Sequence, residues 1–526
     1  MLALCLLFCV ESVASAIEPG AKALPFTLTS LTGESVGPLP TAKGQVLLLY
    51  FFDSAADGTA FLSPLSESSV AASSPFSILG ISRSSAQTLK EHLQPKLHPL
   101  VLLDDKGVTY DYGLSKRLPA CVVIGPEDTI AAVLTPVKDH ATALLTAGHT
   151  FMSMGLPVSA SNLYDLVPEK WGHEREIARW YAHLLDGKAE SAVAGFAGLA
   201  ASNSEYSAEG HAGLAFFHYR EGKDGEALAE CGRAPSHGFA ILVRGLVEAR
   251  QGDCAAASSS FEKAAAAQYL FAWQKAMALN LAANVAETKN DQNAALQLYK
   301  RAFDTAPLNP YIAANLLFLN WRQQNYPAAA LYADIITASG ISDPLVDALV
   351  DEYKAQVAFA RDSHAKRLLE KKPPKTPGKP EHRSGRPFTM LVSDFPATGC
   401  PAELAGLSVA SSGLLQKCFE ESWLRPIKRA EWQEAARRLN PASTHPEDPL
   451  QLREVARALS VDLLTFGVLG TYAGSYVLNV RIADVNSGAV IAVASERFQT
   501  LHQLPQAMTS AARKLTEQTQ AHYGRP

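Results

Sequence analysis

One recurrence constrains this chain more than any other feature. Between residues 155 and 334, a Gly or Asn is followed five residues later by Ala, and four further on by an aromatic or apolar residue. The pattern runs Gly155/Ala160/Tyr164, Gly187/Ala192/Phe196, Gly222/Ala227/Cys231, Gly252/Ala257/Phe261 and Asn290/Ala295/Tyr299. A sixth copy, Asn325/Ala330, carries Asp334 at the aromatic position. Successive starts are 32, 35, 30, 38 and 35 residues apart. Such an interval holds two antiparallel helices. The Gly or Asn ends the first helix, because it tolerates a left-handed backbone. The Ala lets the second helix approach its partner, and the aromatic ring fills the space between neighbouring pairs.

This pattern resembles the tetratricopeptide repeat, with Ala306-Pro307 and Asn309-Pro310 at the inter-repeat proline. The resemblance implies a helical solenoid over 138–340, closed by a capping helix over 341–370. It also implies a groove that binds peptides or protein segments and carries no chemistry of its own. Phe216, Phe217, Tyr219, His211 and His218 are candidates to line that groove, with core packing as the plainer reading of each. The two histidines have no carboxylate or cysteine at ligand spacing, so no metal is expected.

Ahead of the array, residues 17–137 alternate strands and helices. Val46–Phe52 and Phe76–Ser82 are apolar runs of strand length, as strands buried on both faces should be. Leu100–Leu103 is a third, and Cys121–Ile124 with Thr129–Leu134 reads as a hairpin turning at 125–128. Helices are expected at Phe61–Ala72 and Ser84–Leu93. The order resembles the thioredoxin superfamily in its TlpA-like and peroxiredoxin-like branches. Gly20–Thr29 with Thr32-Gly33, Leu103–Gly107, Tyr112–Leu114 and Leu118–Ala120 carry the resemblance. It implies that Pro119 is cis and faces the redox turn. That turn reads Asp53-Ser-Ala-Ala-Asp-Gly-Thr59, with Ala56 and Thr59 about where two cysteines belong. Thiol–disulfide exchange requires a thiolate, which neither residue supplies. Cys121, the single sulfur of this segment, reads as a small core residue. A platform without redox chemistry follows, in which Pro119, Phe52 and the 53–59 loop hold an extended peptide. The opposing expectation is an oxidoreductase or peroxidase working through Cys121.

Behind the array, residues 371–387 hold six Lys or Arg against one Glu, with four prolines before Glu381. This composition reads as an extended linker. Strand–helix alternation resumes at Phe388 and continues to the end. Glu454–Asp462, Phe466–Val468 and Arg481–Gly488 resemble the domain shared by the TolB amino-terminal region and the curli-secretion lipoproteins, although Ser460 stands where that family prefers Gly. A small α/β domain with a mixed sheet, acting through protein contacts, is implied for 388–526. Cys400 and Cys418 are a possible disulfide pair there, with two free thiols as the alternative.

The chain has 526 residues, with 47% hydrophobic and 19% charged and a formal net charge of -5. That length suits several domains, and that charge gives no reason to expect a nucleic-acid surface. Leu2–Val10 followed by Ala14-Ser-Ala16 reads as a signal peptide over 1–16. Nucleotide-binding, zincin and nucleophile-elbow motifs are absent from the sequence, and no cofactor is expected. The expectation is therefore a multidomain exported protein of the bacterial envelope: a redox-inactive thioredoxin-like α/β fold, an all-α repeat solenoid and a small α/β domain. It binds protein partners, touches membranes at most peripherally, and catalyses nothing. An assembly or secretion factor of an envelope complex is a further alternative.

Overall fold

The computed structural model describes residues 18–524, apart from 40–45, 67–75, 126–127, 138, 169–171, 203, 269, 342, 370–387, 396, 399–405, 421, 440–448 and 473–474. Residues 1–16, expected as a signal peptide, residues 371–387, expected as a linker, and Cys400 therefore lie outside the described residues. The chain packs as two compact units, one of 1–195 with 306–308 and 335–341, the other of 196–305, 309–334 and 342–526.

The first unit is built on a sheet of seven strands in the order β2-β1-β5-β4-β3-β6-β7. These are β1 (Phe26–Ser30), β2 (Ser35–Leu39), β3 (Val46–Phe52), β4 (Phe76–Ser82), β5 (Val101–Leu103), β6 (Ala120–Ile124) and β7 (Ile130–Leu134). Strands β3, β4 and β5 are parallel, and β1 and β6 join them antiparallel. All seven residues of β3 are buried, which explains its unbroken apolar run. Helices α1 (Ala55–Ser66), α2 (Ala86–His92) and α3 (Val108–Asp111) lie between strands. Helix α1 starts six residues before the expected Phe61. Ser54 Oγ accepts a hydrogen bond from Ala56 N–H (3.2 Å), and Ser54 C=O accepts from Gly58 N–H (3.1 Å), so the helix is capped there. Ala56 and Thr59 therefore sit in a helix and not in a loop.

Four more helices follow: α4 (His140–Ser153), α5 (Pro157–Leu166), α6 (Gly172–Leu185) and α7 (Ala189–Ala200). Helix α4 is shared between layers, since it packs on β7 and α1 as well as on α5. Its Gly148 admits the Tyr164 ring so closely that a Cβ there would stand 2.4 Å from it.

The second unit contains α8 (Ser207–Arg220), α9 (Asp224–Arg233), α10 (Gly238–Gln251), α11 (Cys254–Ala266), α12 (Ala272–Thr288), α13 (Gln292–Thr305), α14 (Pro310–Arg322), the first nine residues of α15 (Tyr326–Ser339) and α16 (Pro344–Leu369). Every even-numbered helix from α4 to α14 ends the same way. The residue after the left-handed position donates its N–H to the carbonyl five residues back: Leu156 to Phe151, Lys188 to His183, Lys223 to His218, Asp253 to Glu248, Asp291 to Ala286 and Asn325 to Asn320. The left-handed residues are Gly155, Gly187, Gly222, Gly252, Asn290 and Gln324. The last copy therefore starts at Gln324 and not at Asn325. Its fully buried Ala is Ala329, while Ala330 is half-buried. Ala160, Ala192, Ala227, Ala257 and Ala295 are fully buried in the other five. Polar side chains also recur through the stack, where Asn315 Nδ2 donates to Asn280 Oδ1 (2.8 Å) thirty-five residues earlier, with both side chains buried.

The same unit carries a second mixed sheet, β10-β8-β11-β12-β13, with β9 paired to β11. Its strands are β8 (Phe388–Val392), β9 (Ala397–Thr398), β10 (Leu424–Pro426), β11 (Leu463–Tyr472), β12 (Ser475–Asp484) and β13 (Val490–Phe498). Helices α17 (Leu407–Glu420), α18 (Arg429–Leu439), α19 (Pro449–Ala458) and α20 (Leu504–His522) cover it. Trp432, Ala436, Leu452, Val455 and Ala456 of α18 and α19 close on Leu391 and Leu464 of the sheet, while α20 packs against β12, β13 and α17.

Candidate functional site

In the first unit, the sheet places four sequence-singled residues around the end of β3. Asp53 follows the last residue of that strand, and Arg83 follows β4. Arg83 Nε donates to Asp53 Oδ1 (2.9 Å), and Arg83 Nη2 pairs with Asp53 Oδ2. The Ser84 hydroxyl donates to the Asp53 carbonyl. Hydrogen bonding to Asp53 pushes the Arg83 pKa further up, so its charge is fixed. Both side chains are nearly half exposed, so the pair adds under about 1 kcal/mol to stability. Its consequence is electrostatic and local.

The Leu118–Pro119 bond is cis. The β3–β6 register pairs Phe51 with Ala120, which sets Pro119 opposite Phe52 at the same sheet edge as Asp53. Ala56 and Thr59 stand on the first turns of α1, with Gly58 pressed against the Phe52 ring. Cys121 is paired in register with Tyr50 and is 0% exposed. Burial pushes its thiol up to about 12, so at neutral pH it is neither ionised nor accessible. Tyr50 stacks on Phe61 at 3.8 Å and shields it further. The surface at this end of the sheet thus presents an ion pair and a cis-proline, not a sulfur nucleophile.

In the second unit, the even-numbered helices meet the C-terminal sheet at two seams. At the first, α17 packs on α16. A Cβ on Gly413 would lie 3.1 Å from Glu352 Cγ, and one on Gly406 would lie 2.9 Å from a Leu349 methyl. Behind this contact, Arg429 Nε donates to Asp394 Oδ1 (2.7 Å), and Arg429 Nη2 reaches Asp394 Oδ2. With its amide oxygen turned inward, Gln433 accepts from Arg429 Nη2 (2.8 Å), and the guanidinium also lies 5.8 Å from the Trp321 ring centre. Glu352 faces this cluster. Burial first, then the Asp394 and Asp351 charges, push its pKa up, against the opposing pull of Arg429 and Lys417.

At the second seam, the β11–β13 end meets α8, α10 and α14. Gln499 Oε1 lies 3.2 Å from where a Gly222 Cβ would stand, and His502 meets the Tyr311 ring edge-on at 6.1 Å. Arg250 acts electrostatically on Tyr476 and lies over Tyr219 at 4.3 Å. Its Nη1 donates to the Tyr219 carbonyl (2.9 Å), and its Nη2 pairs with Asp224.

The residues considered as groove lining divide. Phe216 is buried against Phe239 and Trp273, so it belongs to the core. His211 Nδ1 lies 2.7 Å from Glu230 Oε2 and ties α8 to α9. Phe217, His218 and Tyr219 are half-buried near the end of α8, and Tyr219 takes part in the second seam. Sequence reading did not single out Arg250, Asp394, Arg429, Glu352 or Gln499. Their partners lie too far along the chain for any local pattern to join them. The one available signal was Arg250 two residues before Gly252, a charge at a position that helix packing buries.

The possible Cys400–Cys418 bridge falls on Cys400, which lies outside the described residues. Cys418 Sγ lies 3.9 Å from Thr509 Oγ1, on the face of α17 turned toward α20. It borders a cavity of about 390 Å³ lined by Lys417, Thr509, Arg513, Thr516 and Glu517. Cys254 is disulfide-bonded. Among the described residues no cluster of three His, Cys, Asp or Glu is placed to hold a metal ion, and no helix is long and apolar enough to cross a membrane.

No protein-family model matches the chain. No curated protein matches it. Solved structures do align with parts of it. An exposed lipoprotein thioredoxin (Etrx1) of Streptococcus pneumoniae aligns at 21% identity over 24% of this chain and 98% of its own, TM-score 0.21. The LpoB C-terminal domain of Escherichia coli aligns at 12% identity over 22% of this chain and 84% of its own, TM-score 0.19. The pilF protein of Pseudomonas aeruginosa aligns at 16% identity over 44% of this chain and 89% of its own, TM-score 0.26.

Proposed function

We propose that this protein is an exported, non-catalytic adaptor of the bacterial envelope, whose helical repeats and flanking α/β modules hold other proteins. In this reading the modules span 17–137, 138–340 with its cap at 341–370, and 388–526, after a signal peptide at 1–16. One observation carries the reading: the end of β3 is closed by the Asp53–Arg83 pair, while Cys121 is sealed beneath it. A fold of this kind without an available thiolate retains its shape as a binding platform. The solenoid adds a long surface on its even-numbered helices, and the C-terminal sheet adds a third module.

Two measurements on the full chain test this. Photo-crosslinking residues placed at Thr59 and at Lys223 in living cells should yield discrete protein adducts. Insulin-reduction and peroxide-turnover assays on the purified protein should show no turnover. Absence of adducts from both positions, or sustained turnover that Cys121→Ser abolishes, would overturn the reading.

A further inference from the structure

The two seams of the second unit are built unequally. At the α16–α17 seam Asp394 accepts from Arg429 and from the Ser412 hydroxyl (3.1 Å), and Lys417 Nζ reaches Asp351 at 2.6 Å, with the buried Glu352 beside them. Small residues, Gly406 and Gly413, bring the helices close together. The other seam is left incomplete. Arg250 Nε and Gln499 Oε1 are both buried, and neither has a hydrogen-bond partner among the described residues. They belong to one locality, since Gln499 abuts Gly222 and Arg250 binds the carbonyl of Tyr219 three residues earlier. A donor and an acceptor removed from water on opposite sides of a seam, without meeting, oppose its closure. A ring edge, Tyr311 on His502, and the electrostatic pull between Arg250 and Tyr476 cross there, while the Gln499 amide donates to its own module's Ser475.

We propose that the C-terminal module is a hinged cover: the α16–α17 seam stays shut, and the seam at Gly222, Arg250 and Tyr311 opens and closes over the even-numbered helices. The closed occupant of that face is the module's own edge, residues 475–502. Any polypeptide that uses the face, in the adaptor reading on which this consequence rests, competes with that edge. Opening also hydrates the two unpaired atoms, which offsets part of the cost of exposing apolar surface to water.

Hydrogen exchange on the full chain tests the hinge without any partner, so a failure here is separable from a failure of the adaptor reading. Gln499→Glu supplies a charged acceptor on the seam face opposite Arg250 and should slow exchange in the last turns of α8 and α10 about tenfold, the effect of one hydrogen bond to a charged group. Gln499→Ala should speed exchange there, while amides of α17 stay unchanged in both variants. Equal change at α17, or no change at α8 and α10 in the Glu variant, overturns the proposal. The Glu variant keeps the side chain's size and answers the question even where the Ala variant is unstable.

Discussion

Arg429 lies 5% exposed with its guanidinium gripping Asp394, thirty-five residues earlier, at 2.7 Å through Nε. The pair joins the loop after β8 to the start of α18, directly behind the α16–α17 seam. Asp394→Asn leaves that guanidinium buried without its counter-charge. The expected loss is about 3–5 kcal/mol, because an unpaired buried charge costs far more than the pair contributes. Urea unfolding of the full chain measures it. A loss below about 1 kcal/mol would show that solvent reaches Arg429.

Glu352 gives this cluster a pH dependence. Its folded pKa is raised, chiefly by burial and next by the Asp394 charge. A carboxyl raised above its unfolded value contributes stability that is complete below the ordinary Glu range and is lost as pH rises through the folded value. The wild type should therefore lose stability on going from pH 4.5 toward neutrality, in the part of the curve owed to this group. Glu352→Gln should flatten that slope and stand above the wild type at about pH 7. Thermal melts across the range decide it, and an unchanged slope in the variant would refute the assignment.

Local chemistry was readable in the sequence, and long-range chemistry was not. Apolar runs located β3 and β4, and the Gly–Ala–aromatic recurrence located the helix pairs. The final copy slipped by one residue because Asn325 has the type that favours a left-handed backbone, whereas Gln324 adopts it. Helix α1 is expected six residues late because an Ala-Ala-Asp-Gly segment reads as a turn, whereas the Ser54 hydroxyl caps the helix ahead of it. Arg429 with Asp394, and Arg250 with Gln499, meet only after folding and leave no periodic trace.

The slipped register makes its own prediction. Ala329 is fully buried and Ala330 half-buried. Ala329→Leu should cost about 1–3 kcal/mol by overpacking, while Ala330→Leu should change stability by less than about 0.5 kcal/mol. If the two variants melt in the reverse order, the register is that of the Asn325 copy.

Glycines in the helices separate by what surrounds them. At Gly148 an added Cβ would stand 2.4 Å from the Tyr164 ring, whose hydroxyl is held by His149 at 2.9 Å and cannot move aside. Gly198, inside α7, has nothing within 4 Å. Gly148→Ala should therefore destabilise by about 1–3 kcal/mol. Gly198→Ala should stabilise by about 0.5–1 kcal/mol, since Ala is the better helix former. Opposite shifts in melting temperature are the expected result, and shifts of the same sign would contradict the packing at α4.

The described cysteines Cys121, Cys231 and Cys418 differ in access, and alkylation reads this out directly. Cys121 is sealed in β6 with its pKa pushed up to about 12, and buried Cys231 is pushed up to about 11. Burial is the leading cause at both. Cys418 is half-buried at the rim of the α17–α20 cavity. Iodoacetamide at about pH 8 should label Cys418 in the native protein within minutes and reach Cys121 and Cys231 only after denaturation. Peptide mapping by mass spectrometry resolves the three sites. Native labelling of Cys121 at a rate near that of Cys418 would mean that β6 opens on the timescale of the experiment, and the first unit would then have to be reconsidered as a thiol catalyst.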